Sequence, residues 1–411
     1  MSKKNLIVGQ SGGPTAVINS SLYGVVSEAL AHPEEIEHVY GMVNGIEGFL
    51  NGTTLEFTEA LPGEKLEMLK NTPGAYLGSC RYKLPESLDD EVYPKLFAKF
   101  EEMNIGYFFY IGGNDSMDTV SKLSRYAEKV GSDIIVLGEP KTVDNDLVLT
   151  DHTPGFGSAA KYIGASTKEV IRDALGLTYN KEMITIIEVM GRNAGWLTGT
   201  TALAKTEECE GPDLIYLPEV AFDIDKFLAK VKSLLEKKKS IVIAVSEGIK
   251  LADGRYVCEL SGGGDYVDAF GHKQLTGTAA YLANFLGAEI GCKTRSVEFS
   301  TLQRSASHMA SRVDINEAFM VGGAAVKAAD EGDTGKMVVI DRVSDDPYMS
   351  AAGIYDVHKI ANNEKVVPRE WLNEEADYVT DEFINYIEPL IQGDYPPFMV
   401  NGLPQHLVLK K

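Results

Sequence analysis

Two short runs carry the densest chemistry in this chain, IGGNDS at Ile111–Ser116 and EPKTVDND at Glu139–Asp146. Each follows an apolar run, GYFFY (Gly106–Tyr110) and DIIVLG (Asp133–Gly138), and ends it in a glycine or proline turn crowded with carboxylates. In an open parallel sheet, ligands bind outside the carboxyl ends of the strands. Both loops are therefore expected to face one crevice and to put Asp115, Lys141, Asp144 and Asp146 into it. Acids, one lysine and closely approaching backbone suit a metal-assisted reaction on a phosphate. Asp144 and Asp146 are expected to alternate on an extended segment, so that both point inward. Two such carboxylates fit a general base and an outer metal ligand. The plain alternative for the octapeptide is an Asx-rich turn, and GGNDS alone is equally explained by a helix cap at Asn114 or Asp115.

Further segments have the same strand-to-turn form. GQSGGPTAVIN (Gly9–Asn19) joins a strand to a helix, where glycines admit a ligand and the helix start offers N–H groups to an anion. It is neither GxxxxGK[ST] nor GxGxxG, so no Walker or dinucleotide site is indicated. It does match GxSxG through Gly9, Ser11 and Gly13, which leaves a Ser11 hydrolase as a distant alternative needing Asp and then His downstream. MGRNAGW (Met190–Trp196) offers Arg192, and SEG (Ser246–Gly248) offers Glu247. TLQR (Thr301–Arg304) and Arg295 offer two candidate phosphate clamps. LGSCRYK (Leu77–Lys83) sets Arg81 in a turn able to cover a donor phosphate.

Strand and helix patterns alternate throughout. Strands are expected at Asn5–Gly9, Gly106–Ile111, Asp133–Gly138, Met183–Val189, Leu214–Leu217 and Ser240–Ser246. Helices are expected at Thr15–Ala31, Ser158–Leu175, Ala194–Ala204 and Asp223–Lys237. This alternation implies parallel βαβ units. Asp151–Gly157 reads as a crossing loop into a second α/β unit, which contains the SGGGDY stretch (Ser261–Tyr266), and the chain is expected to return to the first unit near Gln303. The expected division is 1–157 with 303–355, then 158–302, then a C-terminal extension over 356–411 with a helix at Asp381–Ile391.

The chain has 411 residues, 44% of them apolar, enough to bury a large core in two domains or three. Its formal charge of −21 argues against nucleic acid or an anionic membrane as partner. Any bound polyanion must then be held by local cations, a metal or backbone N–H groups. Cys80, Cys209, Cys258 and Cys292 form no CxxC pair, as expected of reduced thiols in a cytoplasmic protein. The N-terminal apolar run is too short for a signal peptide, and no segment approaches about 20 consecutive apolar residues.

Taken in order, GGNDS, PKTVDND, MGRNAGW, PEV (Pro218–Val220), SEG and LQR resemble the phosphofructokinase family. The resemblance runs from Lys4 to about Gly323. It implies an α/β fold of two Rossmann-like parallel-sheet domains with the active site in the cleft between them, plus a C-terminal helical extension. It also implies Mg²⁺-dependent phosphoryl transfer to the 1-hydroxyl of fructose 6-phosphate, in a homodimer or homotetramer. Asp144 matches the family's proton acceptor, with Lys141 and Asp115 beside it. Gly12, Gly13, Arg81, Asn114, Asp115, Ser116 and Lys141 match the donor side. Thr142, Val143, Asp144, Met190, Gly191, Arg192, Glu247, Arg295, Thr301 and Arg304 match the sugar-phosphate side. Asn114, Asp115 and Asp146 match the metal side, although the family usually has an aspartate where Asn114 stands. Thr301 replaces a histidine often found before the QR pair, and Met183 stands where tetrameric relatives use an arginine from a neighbouring subunit.

The resemblance further implies diphosphate, not ATP, as donor. ATP-using relatives carry glycines at the positions of Asp115 and Lys141, and diphosphate-using relatives carry Asp and Lys, as here. A carboxylate where the α-phosphate of ATP belongs would repel it by roughly 4 kcal/mol at about 4 Å and an effective dielectric near 20. An ATP-dependent phosphofructokinase, another sugar-phosphate kinase, or a phosphosugar sensor without turnover are the alternatives.

Overall fold

Apolar runs become strands wherever both of their faces are covered. The computed structural model describes residues 3–60, 63–261 and 275–409, so SGGGDY lies, past Ser261, outside the described residues. In chain order the strands are β1 (Lys4–Gln10), β2 (Ile36–Met42), β3 (Thr54–Glu56), β4 (Ile105–Gly112), β5 (Ile135–Pro140), β6 (Met183–Val189), β7 (Leu214–Tyr216), β8 (Ser240–Ser246), β9 (Lys293–Glu298), β10 (Lys336–Asp345) and β11 (Tyr348–Asp356). The helices that matter below are α1 (Ile18–Leu30), α2 (Val92–Glu102), α3 (Asn114–Val130), α4 (Phe156–Gly176), α5 (Ile224–Leu235), α6 (Thr278–Ile290), α7 (Arg312–Asp330) and α8 (Asp381–Ile387).

One unit comprises Met1–Ser158, Arg304–Glu364 and Gln392–Lys411. Its sheet runs β11-β10-β5-β4-β1-β2-β3, parallel from β2 to β10 with an antiparallel strand at each edge. Side chains alternate across a strand, so Leu6 and Val8 pack against α1 and α7 while Ile7 packs with Tyr93, Leu96, Val120 and Leu123 on α2 and α3. α1 and α7 cross almost backbone to backbone. A Cβ on Gly24 would stand 2.2 Å from the Phe319 carbonyl oxygen, and one on Gly322 would stand 2.1 Å from that of Ser21.

The other unit comprises Ala159–Gln303 and Lys365–Ile391. Its sheet is all parallel, in the order β7-β8-β6-β9. β6 and β8 are buried at every residue, and Ile184, Ile186, Ile241 and Ile243 pack with Phe227 and Val231 of α5 and Leu282 and Leu286 of α6. The stretch expected as a C-terminal extension is divided between the two units. In the second unit Trp371, Phe383 and Tyr386 surround Trp196, with Phe383 stacked at 5.9 Å and 16°. No described helix is long and apolar enough to cross a membrane.

The segment Asp151–Gly157, which follows the PKTVDND loop, is held by buried charge. His152 is bonded to Asp151 at 2.8 Å and to Glu317 at 2.7 Å, Arg342 grips Asp151, and the Tyr348 hydroxyl donates to Glu317. Asp314 accepts the N–H groups of Gly155 and Ser158, both at 2.8 Å, and so caps the start of α4. Burial opposes a charge on His152, but Glu317 and Asp151 outweigh it and hold the imidazole up at about 9. Raised above the unfolded value of about 6.5, this group contributes stability that is whole below that pH and fades as pH rises through about 9. The stability gap between wild type and His152→Gln, measured by urea unfolding, is therefore expected to shrink between pH 6.5 and 9.5.

Candidate active site

In the first unit, strand ends and turns assemble a compact charged cluster. β4 and β5 pair in parallel up to Gly112 and Pro140, so the GGNDS and PKTVDND turns leave the sheet side by side. Lys141 donates its N–H to the Gly112 carbonyl at 3.0 Å. Its side chain is buried, and Nζ donates to the Gly13 carbonyl at 2.6 Å. Burial lowers the ammonium to about 8 against the pull of Asp144 and Asp146, with Arg304 and Arg81 lowering it further. The cluster thus contains three cations and two acids around one glycine turn. That turn needs its glycines: Gly12 has φ +75, and a Cβ on Gly13 would lie 3.1 Å from an Arg304 guanidinium nitrogen. A Cβ on Gly112 would overlap the Ser116 hydroxyl, which lies buried at the start of α3. Asp115 stands exposed in the first turn of the same helix, where its charge suits the helix dipole.

The segment carrying Asp144 and Asp146 is not extended. Asn145 between them takes φ +54, a left-handed conformation that asparagine tolerates better than most residues. The Asp144 N–H donates to Thr142 Oγ1 at 3.1 Å, and the Thr142 carbonyl accepts from Thr153 at 2.7 Å. Val143 is buried beneath this bend. The two aspartates still share one electrostatic environment: burial first, then Asp144 and Glu364, push the Asp146 carboxyl well above the usual carboxylate range. Among the described residues, Asp146 Oδ1 is buried with no hydrogen-bond donor.

Asn114 stands differently from expectation. Its Oδ1 accepts the N–H of Asn362 at 2.6 Å and its Nδ2 donates to the carbonyl of Asn363 at 2.5 Å, so both ends of the amide serve a distant turn. Glu364, which follows that turn and bridges Leu147, was not expected at the cluster at all.

A buried polar pair docks the loop that carries Arg81. Gln10 donates to Asn19 at 2.8 Å and accepts the Leu77 N–H at 3.0 Å. Asn19 donates to the carbonyls of Thr72 and Gly74 and accepts the Tyr76 N–H. Ser79 then donates to the Gly12 carbonyl at 2.7 Å. The signal was present in the chain: an amide ending an apolar strand and another on the apolar face of α1 demand partners once buried.

Ser11 is buried and donates its N–H to Ile111. Among the described residues, His32, His38, His152 and His358 are bonded to carboxylates or to Ser121, away from Ser11.

In the second unit, β6 and β8 end in register at Val189 and Ser246, which sets Met190–Arg192 beside Glu247. Gly191 takes φ +146, and its carbonyl accepts from the Ser246 hydroxyl. The Glu247 N–H donates to the Val189 carbonyl at 2.9 Å, and the Glu247 carbonyl accepts from Thr278 at 3.1 Å. Glu188 accepts the Gly277 and Ala279 N–H groups at the start of α6, and burial raises its carboxyl to about 7. Glu219, within PEV, accepts from the Gly195 N–H at 2.7 Å and the Val367 N–H at 2.9 Å. Arg295, expected as a phosphate clamp, lies on the edge strand β9 paired with Asp173 at 3.0 Å, and Thr301 is exposed.

The phosphofructokinase family model matches residues 5–329. The chain is 40% identical to the pyrophosphate–fructose 6-phosphate 1-phosphotransferase of Halomonas elongata, over 100% of this chain and 97% of that one. It is 31% identical to a sulfofructose kinase of Alkalicoccus urumqiensis, over 90% and 92% of the two chains. The crystal structure of a pyrophosphate-dependent phosphofructokinase from Nitrosospira multiformis superposes with a TM-score of 0.90 at 37% identity, covering 100% of this chain and 99% of that one. With its motifs in order, its two α/β units and these relatives along its whole length, the chain belongs to the phosphofructokinase family.

Proposed function

We propose that the protein moves a phosphoryl group reversibly from diphosphate to the 1-hydroxyl of fructose 6-phosphate, giving fructose 1,6-bisphosphate and phosphate. The observation that carries this reading is the buried Lys141, held on the Gly13 carbonyl among Arg81, Arg304, Asp144 and Asp146. Three cations gathered on a glycine turn suit a compact polyanion, and an exposed carboxylate at Asp115 disfavours the longer phosphate chain of a nucleotide. The names of the H. elongata relative and the N. multiformis structure support the same donor.

The first unit is assigned to the donor and the second to the sugar phosphate. Asp144 takes the proton of the attacking hydroxyl. Lys141 and Arg81, joined by Arg304, which the resemblance gives to the sugar phosphate but which lies against Gly13, hold and stabilise the transferring group, since in such transfers positioning and charge stabilisation dominate. Met190, Gly191, Arg192 and Glu247 orient the sugar. The donor set fits Mg²⁺: hard carboxylate oxygens, one of them on Asp146 buried without a donor among the described residues. Bound there, the ion would neutralise charge on the diphosphate oxygens. The free thiols Cys80, Cys209, Cys258 and Cys292 suit a cytoplasmic enzyme, and we assign it as a homo-oligomer.

Purified protein given fructose 6-phosphate, Mg²⁺ and either diphosphate or ATP tests the reading. Bisphosphate formed with diphosphate and little with ATP is expected, and robust turnover with ATP would overturn the donor assignment. Sulfofructose offered in a parallel assay tests the acceptor, and preference for it would overturn the sugar assignment. In the second unit, a Cβ on Gly248 would stand 2.0 Å from the Arg192 carbonyl oxygen and 2.6 Å from that of Gly191, both backbone atoms. Gly248→Ala must therefore shift the MGR turn. Its kcat/KM for fructose 6-phosphate is expected to fall by roughly 10²-fold, the effect of an ångström-scale misplacement, while saturation by diphosphate changes little.

A further inference from the structure

The parallel strands β7, β8 and β6 end together at Tyr216, Val245 and Glu188, so the turns PEV, SEG and MGRNAGW leave one edge of the second unit's sheet. MGRNAGW is held there at three points. The Ser246 hydroxyl donates to the Gly191 carbonyl, and Gly248 is packed against the Arg192 carbonyl. At the far end, the Gly195 N–H donates to Glu219 Oε1 at 2.7 Å. The approach leaves no space for a side chain: a Cβ on Gly195 would stand 2.7 Å from both Glu219 Oε2 and Leu217 Cβ.

The same Glu219 oxygen accepts the Val367 N–H at 2.9 Å. Val367 belongs to Lys365–Ile391, a segment of the second unit that lies beyond the family match, which ends at residue 329. That segment meets the turn again at Trp196, whose indole N–H donates to the Lys365 carbonyl at 2.9 Å, with the Lys365 ammonium 5.2 Å from the ring centre. Hydrogen bonds to a carboxylate are shorter and stronger than neutral ones, and one oxygen serving two N–H groups from distant segments fixes both. Gly195 is the third residue after Arg192, so slack at the anchor reaches the guanidinium assigned to the sugar phosphate. An apolar side chain at position 219 would leave both N–H groups without this acceptor.

We infer that Glu219 is a positioning residue for the sugar phosphate: its carboxylate fixes the far end of the turn that carries Arg192 and ties it to Lys365–Ile391, so that the C-terminal segment takes part in setting the sugar site. This rests on the assignment of the second unit to the sugar phosphate and deepens it.

The test uses the full chain. Glu219→Ala is expected to lower kcat/KM for fructose 6-phosphate by roughly 10²-fold, the effect of an ångström-scale misplacement, mainly through KM and with saturation by diphosphate unchanged. Glu219→Gln keeps an oxygen able to accept both N–H groups, and its kcat/KM is expected within about threefold of wild type. Glu219→Asp keeps the charge but draws it back by one methylene, so it should behave like Glu219→Ala and replaces it if that variant does not fold. In an Arg192→Ala background, Glu219→Ala should add almost nothing, whereas a merely structural carboxylate would add its full effect. Hydrogen exchange read by mass spectrometry, with fructose 6-phosphate as the only ligand, should slow in wild-type peptides covering residues 190–196 and 365–371. In Glu219→Ala the second protection should disappear. A kcat/KM for Glu219→Ala within about twofold of wild type, or an effect fully additive with Arg192→Ala, would overturn the inference. The loss in Arg192→Ala alone would then keep the sugar assignment standing. Wild-type protection of 190–196 without 365–371 would overturn the part given to the C-terminal segment. An Arg192→Ala variant with wild-type kcat/KM for fructose 6-phosphate would bring down the sugar assignment and the inference with it.

Discussion

Replacing Asp144 by asparagine is expected to lower kcat by roughly 10²–10⁴-fold, the usual contribution of a positioned general base, while fructose 6-phosphate still binds. Asparagine keeps the shape and the backbone bend, because the bond that sets the bend is from the Asp144 N–H to Thr142 Oγ1. What it removes is the ability to take a proton. The side chain stands in the right company for that role, within electrostatic reach of Lys141 and of Asp146. The residues assigned to hold the sugar, Met190–Arg192 and Glu247, belong to the second unit and its own β6–β8 register. Calorimetric titration of the variant with fructose 6-phosphate should therefore give a Kd close to wild type. A variant retaining more than about a tenth of wild-type kcat would place the base elsewhere.

Which parts of this arrangement could be read from the chain follows from how each is built. Strands covered on both faces were legible as uninterrupted apolar runs, and Met183–Val189 and Ser240–Ser246 form over the expected residues. β2, β10 and β11 were not foreseen. β11 is an edge strand with many exposed residues, and the outer half of β10 is polar, so neither shows a clear apolar signal. The types gathered at the cluster were also legible, because two such loops follow neighbouring apolar runs, although either alone reads equally as a plain turn or a helix cap. Their conformations were not. The left-handed Asn145 depends on a local bend that several residue patterns share. The orientation of Asn114 is decided by a turn 248 residues further along the chain. Glu364 arrives the same way, through a long-range pairing to which no motif of the first loops refers. The Gln10–Asn19 pair shows the intermediate case: the buried amides were visible, but not the loop that satisfies them.

Lys141→Met is expected to remove diphosphate use while the protein still folds. Lys141 is a cation held in a buried place, and burial is the largest influence on it, bringing the ammonium down to about 8. Replacing it by an apolar side chain of similar length removes the cost of burying the charge but leaves Asp144, Asp146 and the Gly13 carbonyl without their cation. The melting temperature should thus fall while the protein stays folded. Catalysis should respond far more strongly. Losing one pre-set donor aimed at the transferring group typically costs roughly 10²–10³-fold, and that loss should appear in kcat/KM for diphosphate. The pH dependence supplies the sign. In the free enzyme Lys141 is charged below about 8 and neutral above it, so wild-type kcat/KM should decline as pH rises through that value. The variant has no such group, so the ratio of wild type to variant should be largest below pH 8 and shrink above it. A ratio that stays constant from pH 6.5 to 9.5 would mean that the ammonium does not meet the donor. A variant that loses activity together with its fold would instead make Lys141 a structural residue, held for the Gly13 carbonyl it bonds.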